Sequence, residues 1–292
     1  MGRMKTALWV KTVKTAACVM LLAGLALAAD NRKEAKYTAG NGTIVTIANA
    51  NGPITVKSGA GRQVLIVTTT HSDKVEVDGA QSGNRIESRV HTTQRTSGDE
   101  GRVDYEVTAP ADVDVTIRGG SGAIHVERMR SDIQIESESG KVDVLDSGNG
   151  HVHVRTVNGP VTLANISNGH VEITTVSGDV SLKSVSGSHM NVNAGKGNIA
   201  YDGDFGNSGD YVITSNSGNI DVTVPANASI SLKARSINGS VENDLPLQAG
   251  GMHMNLGSSP ADPKRTLMGT SNSGSSSVDL RSFSGKIRVK KQ

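Results

Sequence analysis

Between Val152 and Met190 the apolar positions follow a fixed ruler. They are Val152, Val154, Val157, Val161, Leu163 and Ile166, then Val171, Ile173, Val176, Val180, Leu182 and Val185, then Met190. The steps run 2, 3, 4, 2, 3 and 5, repeat once, and give a period of 19 residues. A step of 2 marks a strand that turns alternate side chains inward. A step of 3 breaks that parity, so a corner is expected there to bring the next apolar residue back inside. Glycines keep the same ruler. Gly140, Gly159, Gly178 and Gly197 are 19 apart, as are Gly150 and Gly169, and Gly187 follows 18 residues on. At these structural turns glycine is expected to supply the positive φ of a tight bend. Each unit therefore predicts two strands of four or five residues, two corners and two glycine turns.

Two topologies can use such a unit. In an antiparallel β-meander or sandwich, Asn-Gly turns join neighbouring strands as hairpins. In a β-solenoid, each unit is one coil stacked in register on the next. Hairpins need identity only at the half-period, whereas here identity is sharper at 19, because steps of 4 and 5 alternate between the halves. The predicted fold is thus all-β, a β-solenoid with coils of about 19 residues, the antiparallel meander being the alternative. A single coil would leave an apolar edge and an open hydrogen-bond ladder, so only a stack can offset the cost of ordering its backbone.

The flanks carry related signals. "VTAPADVDVTIRGGSGAIHVE" (Val107–Glu127) matches "VTVPANASISLKARSINGSVEN" (Val222–Asn243) in V-T-x-P-A-[DN], an alternating strand, a basic residue, a bend and a further strand. Pro110 and Pro225 fit strand starts, where no ladder donor is needed. Residues 30–292 are read as a single elongated domain: an irregular strand-rich part over 30–110, regular coils over 111–249, a Gly/Ser-rich loop over 250–277 and terminal strands over 278–292. Arg89–Gly101 is polar and is read as a loop. Open solenoid ends are adhesive ladders, so the irregular part and the Lys-rich end are expected to cap them. No stretch after Asp30 reads as an amphipathic helix.

Residues 1–28 predict something separate. Arg3, Lys5, Lys11 and Lys14 precede an apolar run from Ala16 to Ala28, with no acid before Asp30. That is the layout of a signal peptide with cleavage near Ala28 or Ala29. Thirteen apolar residues fall short of the roughly 20 that span a bilayer, so no membrane span is expected after cleavage. Cys18 sits inside the run rather than after it, against lipidation, and its removal leaves a mature chain without cysteine. The formal charge of +2 owes to those four bases, for without them 26 basic residues face 28 acidic ones. No basic field suits nucleic acid. Aromatics are 2% of the chain against 34 glycines, so the core must be thin and aliphatic.

Taken together, the leader, "NGPITV" at Asn51–Val56, the V-x-x-P-A strand, the run of "NG-x-V-x-[LI]" and "SG-x-V-x-L" units, the second V-x-V-P and the closing "SGKIRV" give a resemblance over about residues 38–290. The chain resembles the DUF4097-type family of exported bacterial adhesin-like proteins, the toastrack domains. The resemblance implies a single-stranded right-handed β-helix and a place in the cell envelope, periplasmic or at the surface of a bacterium. It brings no catalytic motif, so no active residues carry over.

Candidate chemistry is sparse. The chain has no G-x-S-x-G, P-loop, G-x-G-x-x-G or H-E-x-x-H, and no catalytic residues or cofactor are expected. "GGSGAIHVE" approaches a calcium-binding nonapeptide, but Ile124 holds the ligand position. Asp132, His151, His170 and His189 are 19 apart and would form one outward column at about 4.8 Å per step, a candidate metal or pH-sensing ladder. His153 and Glu172 would stand beside it. The plainer reading is a solvated face copied by repeat duplication. Glu136 with Glu138, and Asp143 with Asp146, read as solvated edges. The expected function is a non-enzymatic envelope protein, an adhesin or scaffold presenting a rigid polar face to an envelope protein or glycan. The alternative is a carbohydrate-binding or polysaccharide-degrading β-helix, which would need a groove of three or more acids with Tyr201 or Tyr211.

Overall fold

The computed structural model describes residues 31–248 and 264–292. The expected leader, and residues 250–263 of the expected Gly/Ser-rich loop, lie outside the described residues. The chain opens with β1 (Asn31–Thr38), β2 (Ile44–Asn51), β3 (Ile54–Ser58), β4 (Gln63–Thr70), β5 (Val75–Ser82), β6 (Arg85–Thr92), a 3-10 turn at Gly98–Gly101 and β7 (Val103–Ala109). Regular pairs follow: β8 (Asp114–Ser121) and β9 (Ile124–Glu127), β10 (Ile133–Ser137) and β11 (Val142–Leu145), β12 (His151–Asn158) and β13 (Val161–Ile166). Then come β14 (His170–Ser177) and β15 (Val180–Ser186), β16 (His189–Lys196) and β17 (Ile199–Asp204), β18 (Asp210–Ser217) and β19 (Ile220–Val224). The chain ends with β20 (Ile230–Ser236), β21 (Val241–Asn243), β22 (Thr266–Ser271), β23 (Ser276–Ser282) and β24 (Ile287–Lys291).

These strands form two 12-stranded sheets. Sheet A runs β1-β4-β7-β3-β9-β11-β13-β15-β17-β19-β24-β21, and sheet B runs β22-β20-β23-β18-β16-β14-β12-β10-β8-β2-β6-β5. Each coil gives one strand to each sheet, and coil-to-coil ladders are parallel, with Val152 opposite Val171 and Val161 opposite Val180. The fold is therefore the solenoid, and the antiparallel meander is excluded. Antiparallel pairing is confined to the ends, where β1 pairs β4, β4 pairs β7, β5 pairs β6 and β20 pairs β22.

The inward faces of both sheets meet in one aliphatic core, but its membership departs from the ruler at one position. β12 and β14 run straight for eight residues, so strict alternation buries Thr156 and Thr175 and leaves Val157 47% and Val176 58% exposed. No corner follows Val154; it comes at Gly159-Pro160, after the strand has ended. The second step of 3 does mark a corner. Asn165 and Ser184 take left-handed φ of 56° and 51°, which flips the parity and returns Ile166 and Val185 to the core.

Glycine acts at the bends in two ways. Gly159 and Gly197 do have positive φ, 149° and 141°. Along the whole column of Gly122, Gly140, Gly159, Gly178, Gly197, Gly218, Gly285 and Gly239, a Cβ would lie 1.8–2.3 Å from the carbonyl oxygen of the glycine one rung away. Gly140, Gly150, Gly169 and Gly187 do not have positive φ; the first, second and fourth are needed because a Cβ would meet the Gly122, Ser131 and Gly169 carbonyl oxygens at 1.8, 2.3 and 2.0 Å, whereas Gly169 has more room.

Coil order departs from chain order twice. The rung of β2 and β3 sits between β6–β7 and β8–β9, and the rung of β23 and β24 sits between β18–β19 and β20–β21. Each time the chain passes over one rung directly after a V-T-x-P-A-[DN] segment, where Pro110 and Pro225 accept turn hydrogen bonds from Val113 and Ala228. These prolines open turns rather than strands. The terminal strands are thus inserted, not appended, and the Lys-rich β24 is no cap; β1, β5, β21 and β22 are the outermost strands. The expected loops shrink too: β6 runs on to Thr92, while β22 and the start of β23 occupy Thr266–Ser277.

Two stability outcomes follow from this packing. Gly197→Ala should cost about 3 kcal/mol, from strained φ and collision with Gly178. Gly169→Ala, whose new carbon would lie 3.1 Å from the Gly150 oxygen, should cost about 1 kcal/mol or less; urea melts that rank them the other way would refute the column. The inward column Ser137, Thr156, Thr175, Ala194, Ser215, Ser282 and Ser236 is partly polar. Ser236 donates to the Gly285 carbonyl at 2.7 Å, but the Thr156 and Thr175 hydroxyls are buried without a partner. Thr156→Val should therefore raise stability by about 1 kcal/mol, and a fall in the melting midpoint would show that the hydroxyl is bonded after all.

Candidate functional site

The outer face of sheet B gathers the residues singled out from the sequence. Alternation along β12, β14 and β16 turns His151, His170 and His189 outward, and parallel pairing sets them opposite one another. The His151 and His170 rings stack with centroids 4.8 Å apart, and His189 meets His170 edge-on at 5.9 Å. A ring nitrogen of His151 lies 3.0 Å from Nδ1 of His170, a hydrogen bond in which one ring donates and the other accepts. Asp132 begins the row, accepting the His151 backbone N–H at 2.8 Å. Asp210 ends it, 4.0 Å from His189. His153 and Glu172 stand in the neighbouring row, paired at 3.1 Å.

The ladder is not arranged as a converging ligand set. Its rings succeed one another along a line instead of converging on a point, and among the described residues no group of three His, Cys, Asp or Glu side chains could hold an ion. It also contains the order Ser188, His170, His151, Asp132, with Ser188 Oγ 3.2 Å from His170 Nε2. Nucleophile activation needs an acid that orients its base in a water-poor setting. Here Asp132 is 58% exposed, His151 is 62% exposed, and Asp132 lies 3.7 Å from Nδ1 of His151, so water screens the row.

The aromatic platform considered for glycans is turned inward. Tyr201 and Tyr211 are buried around Phe205, with ring centroids 5.0–6.3 Å apart. Tyr201 donates to the Val185 and Asp204 carbonyls at 3.1 and 3.0 Å, and Tyr211 donates to the Gly187 carbonyl. Burial pushes the Tyr211 phenol up to about 12 and raises that of Tyr201 as well. These tyrosines fill the widened coil where His189 to Asp210 spans two residues more than the repeat. Glu136 lies on the same outer face as the ladder, whereas Lys141 engages Asp143 at 2.9 Å on the other sheet.

Farther along the same face lies a cleft of about 430 Å³. Register builds it in three rows. Lys233 is opposite Asp279; Arg235, Arg281, Thr214 and Asn193 form the middle row. Ile237 and Phe283, just past the ends of β20 and β23 and 46% and 51% exposed, line it with Asn216 of β18. Arg281 grips Asp279 through two nitrogens, one at 2.9 Å. None of Lys233, Arg235 or Phe283 was singled out from the sequence.

The ladder geometry gives a direct expectation for metal. Zinc titration of the wild type and of His170→Ala, followed calorimetrically, should show equal and negligible uptake; stoichiometric binding lost in the variant would establish the metal reading.

Comparison with known proteins gives a family and no curated relative, since no curated protein matches the chain. Two solved structures align over most of its length. One, described as a candidate cell adhesion protein from Clostridium sporogenes, is 13% identical, covers 90% of this chain and 100% of its own, and has a TM-score of 0.31. The other, described as a candidate adhesin from Bacteroides fragilis, is 14% identical, covers 91% of this chain and 99% of its own, and has a TM-score of 0.42. The family model Toastrack DUF4097 matches residues 43–290, nearly the whole stack of coils, and the chain belongs to that family.

Proposed function

We propose that this protein is a non-enzymatic component of the bacterial cell envelope, exported by its leader, that holds a partner against the outer face of sheet B. The observation that carries this reading is the in-register parallel sheet itself. It arrays outward side chains from successive coils in straight rows, while the glycine column and aliphatic core hold the backbone beneath them. A surface built in this way recognises by fixed spacing and loses little freedom on binding. The acid groove with Tyr201 or Tyr211, which the polysaccharide-degrading alternative requires, is not what these residues build: both phenols are buried.

Site-specific photo-crosslinking in intact cells tests the proposal. A photoreactive residue at Thr174 or Asn193, outward on sheet B, should yield envelope adducts; one at Lys183, outward on sheet A, should not. Absence of adducts from sheet B, or release of reducing ends when the purified protein is incubated with envelope polysaccharide, would overturn it.

A further inference from the structure

We infer that the cleft over β16, β18, β23 and β20 is a binding site for a carboxylate-bearing glycan, an inference that rests on the non-enzymatic binding role proposed above and specifies its ligand. Charge is the first argument. Three cations, Lys233, Arg235 and Arg281, meet one acid, Asp279, and that acid is committed to Arg281. Lys233 and Arg235 have no ion-pair partner among the described residues. They stand two residues apart on one strand and so point to the same side, with Lys233 half-buried and Arg235 exposed. Two uncommitted cations at a concave surface with polar neighbours attract an anion, and the planar fork of Arg235 matches a carboxylate in two-point contact.

The remaining lining narrows the class. Asn193 and Thr214 lie in the same row as Arg235 and offer an amide and a hydroxyl, donors and acceptors suited to ring hydroxyls. Phe283 stands at the border of the cleft, 51% exposed, and presents a flat apolar surface to the C–H face of a pyranose. The volume, about 430 Å³, lies within the range of small-ligand sites, roughly 300–1,000 Å³, enough for one or two sugar units of a longer chain. An acidic peptide is the less favoured occupant. Strands β16, β18, β23 and β20 are each paired on both sides, so their backbone leaves no open edge for an extended peptide to join.

Binding of the purified protein to polygalacturonate, neutral dextran and poly-glutamate, measured by calorimetry at low and moderate salt, tests the assignment. Polygalacturonate should bind, dextran should not, and added salt should weaken the affinity. Lys233→Gln with Arg235→Gln should weaken binding at least 20-fold, and Phe283→Ala at least 5-fold. Lys183→Gln, which removes a charge from the other sheet, should change nothing. Arg235→Glu at an exposed position guards against misfolding of the double variant and should abolish binding alone. Unchanged affinity in the Arg235 variants, or equal binding of poly-glutamate, would overturn the glycan site. If crosslinks still form from sheet B in cells under that result, only the ligand class falls; loss of both removes the binding role as well.

Discussion

The structure depends on how closely the backbone can stack at one bend. Inside the solenoid, valine, isoleucine and leucine are nearly interchangeable, and a two-residue slip between coils would keep every apolar residue facing inward. Packing therefore sets the parity of the stack but not its register. The glycine column sets the register. At each rung, the carbonyl oxygen of one glycine occupies the place where the next residue's Cβ would be, so a two-residue slip that put Val161 or Val180 there would drive a side chain into a backbone atom. The rows of histidines and the basic cleft inherit their alignment from that exclusion.

The period, the parallel stacking and the two glycine columns were legible in the sequence because identical residues recur at a spacing that only coil-on-coil contact explains. What misled was treating apolarity as burial. Val157 and Val176 match the ruler yet point outward, and the positions beside them, Thr156 and Thr175, go inside because an unbroken strand alternates whatever its residues prefer. The left-handed residues Asn165 and Ser184 could not be foreseen as a pair either, since Asn tolerates that conformation readily and Ser does not.

The histidine row was visible for the same reason as the fold, its members being one period apart. Asp210, which closes it, was hidden because the widened coil around Phe205 delays it by two residues. The cleft was hidden more deeply. Its two halves, Lys233 and Arg235 on one strand, Arg281 on another with Phe283 just beyond it, come from distant stretches that meet only because a late segment enters the stack between earlier ones. The repeated V-T-x-P-A-[DN] signature was seen, but nothing in its residues says that the chain skips a rung there.

That skipped rung has a consequence for assembly. In the finished stack β18 and β20 lie two strand spacings apart, about 9.6 Å, too wide for amide to reach carbonyl, so only Ser276–Lys291 can join them. The coils before it can stack only as far as β19, and the far end of the stack stays unsealed until Ser276–Lys291 enters it. The segment Ser276–Lys291 thus works as a keystone: without it the stack has neither a closed end nor the Arg281 and Phe283 side of the cleft.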